Sequence, residues 1–126
     1  MSKLPIEYLR HIYDECIFIT NCISPDMSKN DLVDDEVLKR AVVRSLEIIG
    51  EATKKIPADI KEQWSSVPWR NIAGMRDKLI HDYVGINYSI VWDVVRNKIP
   101  EITPIIAKII SSESNRQDVP PPQHGD

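Results

Sequence analysis

Apolar residues recur every three or four positions through most of this chain and hardly ever alternate with polar ones, so the pattern predicts helices throughout. From Pro5 to about Asn21, Leu9, Ile12, Cys16 and Ile19 draw one stripe, and Pro5 suits a first helical turn. "SPDMSKND", beginning at Ser24, mixes turn-forming residues and reads as a loop. The longest periodic segment runs from about Asp34 to Ile56. It carries Leu38, Ala41, Val42, Ser45, Leu46, Ile49, Ala52 and Ile56 on one face, with Arg40, Arg44, Glu47, Glu51 and Lys54 on the other. Those charges have two readings: a solvated face laced by weak pairs, or, for Arg44 and Glu47, the border of a site contributed elsewhere.

"IPADIKEQWSSVPW" brackets a short helix between prolines, and "RNIAGMRDKLIHDY" resumes the helical period through Ile72, Met75, Leu79 and Tyr83. This third long helix is expected to end near Gly85, which can take a left-handed conformation at a helix C-terminus. "NYSIVWDVVRNKI" predicts a fourth helix stopped by Pro100, and a last helix runs from roughly Ile102 to Ser111. The polar, Pro-rich "SSESNRQDVPPPQHGD" is short of apolar residues and is expected to be disordered. The reading is thus one all-α domain over residues 1–112 and a disordered tail over 113–126.

Length and composition narrow this picture. A chain of 126 residues with 42% hydrophobic residues can bury one moderate core, and only four glycines favour a packed helical domain. No run approaches the roughly 20 apolar residues that cross a bilayer, and "MSKLPIEYLRHIYDE" lacks the apolar centre of a signal peptide. The expectation is a cytoplasmic protein that does not engage a membrane. Cys16 and Cys22 have no CxxC spacing and no second cluster, and read as reduced structural thiols. No metal-ligand constellation is apparent, so neither metal nor other cofactor is expected. A net charge of −3 argues against a broad basic surface, so any polyanion must be met by a local patch.

The chemistry concentrates in "GMRDKLIHDYVG", residues 74–85. On a regular helix Asp77 and His81, four apart, share a face, and the carboxylate could fix the imidazole's tautomer and direction. Arg76 lies five positions before His81, about 140° away around such a helix. The two converge only through the long arginine, a helix distortion or a second copy of the chain. Tyr83 packs on the row of Leu79 with its hydroxyl able to point outward. Arg70 and Lys78 lie nearby and are candidate contacts for the phosphates of a polyanion, although exposed cations on helices usually only solubilise.

The spacing Arg76-x4-His81-x-Tyr83 resembles the signature of the HepT-like toxins of the HEPN superfamily. The resemblance extends to "RSLEIIGEATKKIP" (44–57), "VPWRNIAGMRDKLIHDY" (67–83) and "VWDVVRNKIPEI" (91–102), in the family's order, and covers roughly residues 1–112. It implies an up-and-down helical bundle that forms a homodimer and cleaves RNA without a metal ion, as the toxin of a type VII toxin–antitoxin system. It further implies that Arg76 and His81 are catalytic, that Asp77 is the supporting polar residue, and that Tyr83 accepts AMP from a minimal nucleotidyltransferase antitoxin. A short or structured target such as a tRNA end fits the acidic balance. Two rival classes stay open: a non-catalytic nucleotide- or substrate-binding subunit of a nucleotidyltransferase complex, and a helical dimer whose motif is purely structural. Trp64, Trp69 and Trp92 read as core or dimer anchors, while His11 and His124 carry no assigned role.

Overall fold

The computed structural model describes residues 4–81 and 85–118, without the side chains of Ile80, His81, Gln117 and Asp118. The elements are α1 (Pro5–Cys22), α2 (Lys29–Val33), α3 (Glu36–Lys54), α4 (Ala58–Gln63), α5 (Trp69–Ala73), α6 (Met75–Leu79), β1 (Ile80–His81), β2 (Gly85–Ile86), α7 (Tyr88–Asp93), a π-helical turn (Val94–Lys98) and α8 (Ile99–Asp118). The architecture is an all-α bundle with one two-residue antiparallel strand pair beside it.

Helix α1 lies between α3 and α8, as its stripe requires. Ile6, Leu9, Ile12, Cys16 and Ile19 are all buried, and they join Val42, Leu46 and Ile49 of α3 and Ile102, Ile106 and Ile109 of α8 in one apolar core. The polar member of the α3 stripe, Ser45, is also buried, and its hydroxyl donates a 2.7 Å hydrogen bond to Glu15 Oε1 on α1. A buried hydroxyl with a carboxylate partner keeps its place in an apolar interface at little cost. Trp69 is buried in the same core with its indole N–H donating to the Trp64 carbonyl at 3.0 Å, in accord with an anchoring role.

Four boundaries differ from the sequence expectation, each for a local reason. Within the expected loop after Ser24, Ser28 opens α2 with a reciprocal capping box: its hydroxyl accepts from the Asp31 amide while the Asp31 carboxylate accepts from the Ser28 amide. The expected third long helix is two short ones, α5 and α6, broken at Gly74 and finished at Leu79. Pro100 does not stop the chain's fourth helix. Its ring would collide with the carbonyl one turn back in a regular α-helix, and the preceding turn widens, with the Ile99 N–H bonding five residues back to the Val94 carbonyl. The last helix then runs on to Asp118, well into the expected tail. Glu113 there is buried and accepts a 3.0 Å hydrogen bond from Arg116. Residues 119–126 lie outside the described residues.

Candidate active site at the α3–α6 junction

Helix α6 positions the arginine of the motif. Met75 and Leu79, four apart, are buried in the core and fix the helix's rotation, so Arg76, Asp77 and Lys78 are left on the exposed side. Helix α6 packs against α3, and there Arg76 Nε lies 3.9 Å from Glu47 Oε2. The same oxygen lies 3.7 Å from Arg44 NH1, one turn earlier on α3. Arg44 and Glu47 thus form the weak surface pair of the first reading, and Glu47 also lies beside the motif arginine.

This junction depends on a close backbone approach. Gly50, buried on α3, faces the C-terminal end of α5, where an added Cβ would sit 3.2 Å from the Ile72 carbonyl oxygen and 3.6 Å from that of Ala73. The absence of a side chain lets α5, and α6 behind it, lie directly on α3.

The expectation that Asp77 and His81 share a helical face is not met, because α6 ends before His81. Ile80 and His81 are extended and pair antiparallel with Ile86 and Gly85. The reason is legible in the residues: Ile80 and Ile86 are β-branched and favour extended backbone, and Gly85 at φ +104° takes a conformation other residues avoid. Gly85 thus has the left-handed sign expected of it, but it opens a return strand and does not cap a helix. The Asn87 amide donates to the Leu79 carbonyl at 2.9 Å, which ties the two ends of the strand pair together. The side chain of Asn87 then caps α7, accepting from the Ser89 and Ile90 amides. Tyr83 lies outside the described residues, as does the imidazole of His81.

The two candidate phosphate contacts fall on different hollows. Lys78 lines a cavity of about 420 Å³ between α5–α6 and the α7–α8 segment, walled by Ile72, Met75, Ile90, Val94, Ile102 and Ile105 and bearing Lys98 and Asp93 at its polar side. Arg70 lines a shallower one with Lys61, Trp69 and Glu62. Among the described residues no group of three or more His, Cys, Asp or Glu is arranged to hold a metal ion, and no helix is long and apolar enough to cross a membrane. Both cysteines are free thiols, and burial pushes that of Cys16 up to about 11.

The sequence pattern did not foresee the helix break at Leu79. The contact between Glu47 and Arg76 was equally invisible, since it joins residues 29 positions apart. Its one advance signal was a charged trio, Arg44, Glu47 and Glu51, on a helix whose opposite face is wholly core.

Comparison with known proteins shows the family to which the chain belongs. The profile of the family described as "Ribonuclease HepT-like" matches residues 7–109, which include Arg76 and His81. A protein of Caldanaerobacter subterraneus subsp. tengcongensis named "Putative RNase" is 50% identical over 111 residues, 88% of this chain and 98% of its own. One of the same description from Methanocaldococcus jannaschii is 44% identical over 101 residues, 79% of this chain and 87% of its own. "Probable ribonuclease HepT" of Thermococcus cleftensis is 41% identical over 102 residues, 81% of this chain and 92% of its own. No solved structure matches the chain. With a profile match over most of its length and relatives at this level of identity, the chain belongs to the ribonuclease HepT-like family.

Proposed function

We propose that this protein is an endoribonuclease that cleaves RNA without a metal ion, with Arg76 and His81 as its catalytic residues. The observation that carries the reading is the family match over residues 7–109, within which the Arg76–His81 spacing falls. The exposed guanidinium of Arg76 at the α3–α6 junction is in keeping with it.

The chemistry begins with removal of the proton from a ribose 2′-hydroxyl. The 2′-oxygen attacks the adjacent phosphorus, and the bond from phosphorus to the 5′-oxygen breaks as that oxygen takes up a proton. The products are a 2′,3′-cyclic phosphate and a 5′-hydroxyl. Arg76 carries a permanent charge and a planar fork of donors matched to phosphate oxygens, so it stabilises the charge that grows on the phosphorane. His81 titrates near neutral pH and serves as base or acid. A single imidazole cannot readily do both in one turnover. A two-fold homodimer that joins the two motifs in one cleft supplies a second His81 and a second Arg76. Asp77 is the supporting residue in this scheme.

The biological setting follows the same reading. The protein acts as the toxin of a type VII toxin–antitoxin pair, and a minimal nucleotidyltransferase antitoxin silences it by transferring AMP to Tyr83. A bulky anion two residues from His81 would fill the cleft and repel the substrate's phosphodiester. Arg70 and Lys78 are secondary phosphate contacts to an RNA target such as a tRNA end.

The test is incubation of unmodified protein, verified by mass, with total RNA in EDTA, beside Arg76→Ala and His81→Ala. The expected result is fragments ending in cyclic phosphates with wild type and whole RNA with either variant, while the circular dichroism of all three coincides. Cleavage that persists in His81→Ala, or that EDTA abolishes, overturns the assignment. Intact RNA in every sample, with nucleotide still bound, favours the binding-subunit alternative.

A further inference from the structure

We infer that Glu47 is a positioning residue for RNA cleavage, holding Arg76 by its Nε edge, and that Arg44, held by the same carboxylate oxygen, is a second contact for the RNA strand. The inference rests on the ribonuclease reading above and adds two residues to it.

Oxygen Oε2 of Glu47 stands between two guanidinium groups, 3.7 Å from Arg44 NH1 and 3.9 Å from Arg76 Nε. The side chains are layered: Glu47 is 24% exposed, while Arg44 and Arg76 are 69% and 57% exposed. An anion therefore lies beneath two cations that face solvent. Both separations exceed hydrogen-bond length, so the carboxylate steers the arginines without locking them, and a phosphate oxygen at closer range can take over.

The edge of contact matters. A guanidinium offers one pair of donors along its side, through Nε, and another at its end. Glu47 meets Arg76 at Nε, which leaves the terminal nitrogens as the fork for a phosphate. Charge decides why Arg44 belongs to the arrangement. A lone Glu47 beside Arg76 would cancel the positive charge that an RNA phosphate needs, whereas two arginines around one carboxylate leave a net charge of +1. Arg44 thus restores the attraction that Glu47 would otherwise remove, at a point one helical turn along α3 where a neighbouring phosphate of the same strand can be met.

The experiment uses the full chain and a short unstructured RNA oligonucleotide, with its uncleavable 2′-O-methyl counterpart for binding. Glu47→Gln keeps shape and removes charge. It is expected to lower kcat about tenfold or more with KM within about threefold, and Glu47→Asp should recover part of the loss. Arg44→Ala should leave kcat within about twofold, raise KM, and reduce the salt slope of 2′-O-methyl oligonucleotide binding by about 0.7, the value for one phosphate contact on a single strand. In the free protein, the NMR resonance of the Arg76 Nε–H should move in Glu47→Gln. An unchanged kcat in Glu47→Gln, or an unchanged salt slope in Arg44→Ala, overturns the inference. Should wild type leave RNA whole, the ribonuclease reading fails on its own account. The Nε–H resonance and the salt slope then still decide whether the three charges act together, and their failure to change overturns it.

Discussion

Gly50→Ala tests the junction on which the site depends, because two effects of known size oppose each other there. In a helix interior alanine is favoured over glycine by about 0.8–1.0 kcal/mol, and Gly50 lies inside α3, so an unconstrained position would gain that much. The added Cβ would, however, stand 3.2 Å from the Ile72 carbonyl oxygen, inside the usual contact distance, and 3.6 Å from that of Ala73. These are backbone atoms of α5, whose Trp69 and Ile72 side chains are buried, so relief requires the whole short helix to retreat by a few tenths of an ångström. Overpacking of a well-filled interior costs about 1–3 kcal/mol. The expected balance lies between about zero and about 2 kcal/mol of destabilisation, which for a domain of this size lowers Tm by up to about 8 °C. Thermal unfolding followed by far-UV circular dichroism reads it. The same retreat carries α6 and Arg76 away from Glu47, so kcat for RNA cleavage should fall further than the stability loss alone explains. A Tm raised by about 3 °C or more, with activity intact, would refute the close approach as the constraint that sets α6 on α3.

Two further outcomes follow from particular groups. The Cys16 thiol, pushed up to about 11 from an ordinary value near 9 chiefly by burial, favours the folded state fully below pH 9; that contribution is lost as pH rises from about 9 to 11, some 3 kcal/mol in all. Denaturant unfolding across that range should show the loss in wild type and a shallower one in Cys16→Ala; parallel curves would refute it. Tyr83→Phe should retain ribonuclease activity and resist AMP transfer by the cognate nucleotidyltransferase, and stoichiometric AMP on the variant, read by mass, would identify another acceptor.

Which parts of this molecule were legible in the sequence follows from the range of the forces involved. The α1 stripe and the α3 face were read correctly because burial against a single core imposes a period of 3.6 on every residue of a long helix. The motif helix was misread for a related reason. Ile72, Met75 and Leu79 keep the helical spacing across Gly74, so periodicity gives no sign of the break there or of the end before Ile80. Only the β-branched and aromatic residues around Gly85 hinted at extended backbone. Arg76 was singled out by its spacing to His81, whereas its pairing with Glu47 depends on how α6 is set against α3, a tertiary relation that no local pattern encodes. Similarly, Pro100 read as a stop because proline forbids a regular α-helical turn, and the chain met that prohibition by widening the turn instead.

The widened turn constrains how this chain can change over evolutionary time. Tyr88 to Asp118 form one unbroken helical rod, about 46 Å long at 1.5 Å per residue, which packs through α7 on α6 and α2 and through α8 on α1. A π turn holds one residue more than the α-helical turn it replaces, and the wider turn absorbs that residue locally, so the two ends keep nearly the phase of a regular helix. Deleting a single residue between Val94 and Lys98 would regularise the hydrogen bonds and leave the two ends in nearly the same phase, whereas deleting one elsewhere along the rod would rotate one end by about 100° relative to the other. In the second case either Val91 would leave its buried position or Ile102, Ile106 and Ile109 would leave theirs. The widened turn is therefore where the rod can lose a residue without loss of phase, while elsewhere its length is fixed by packing on α6 and α2 at one end and on α1 at the other.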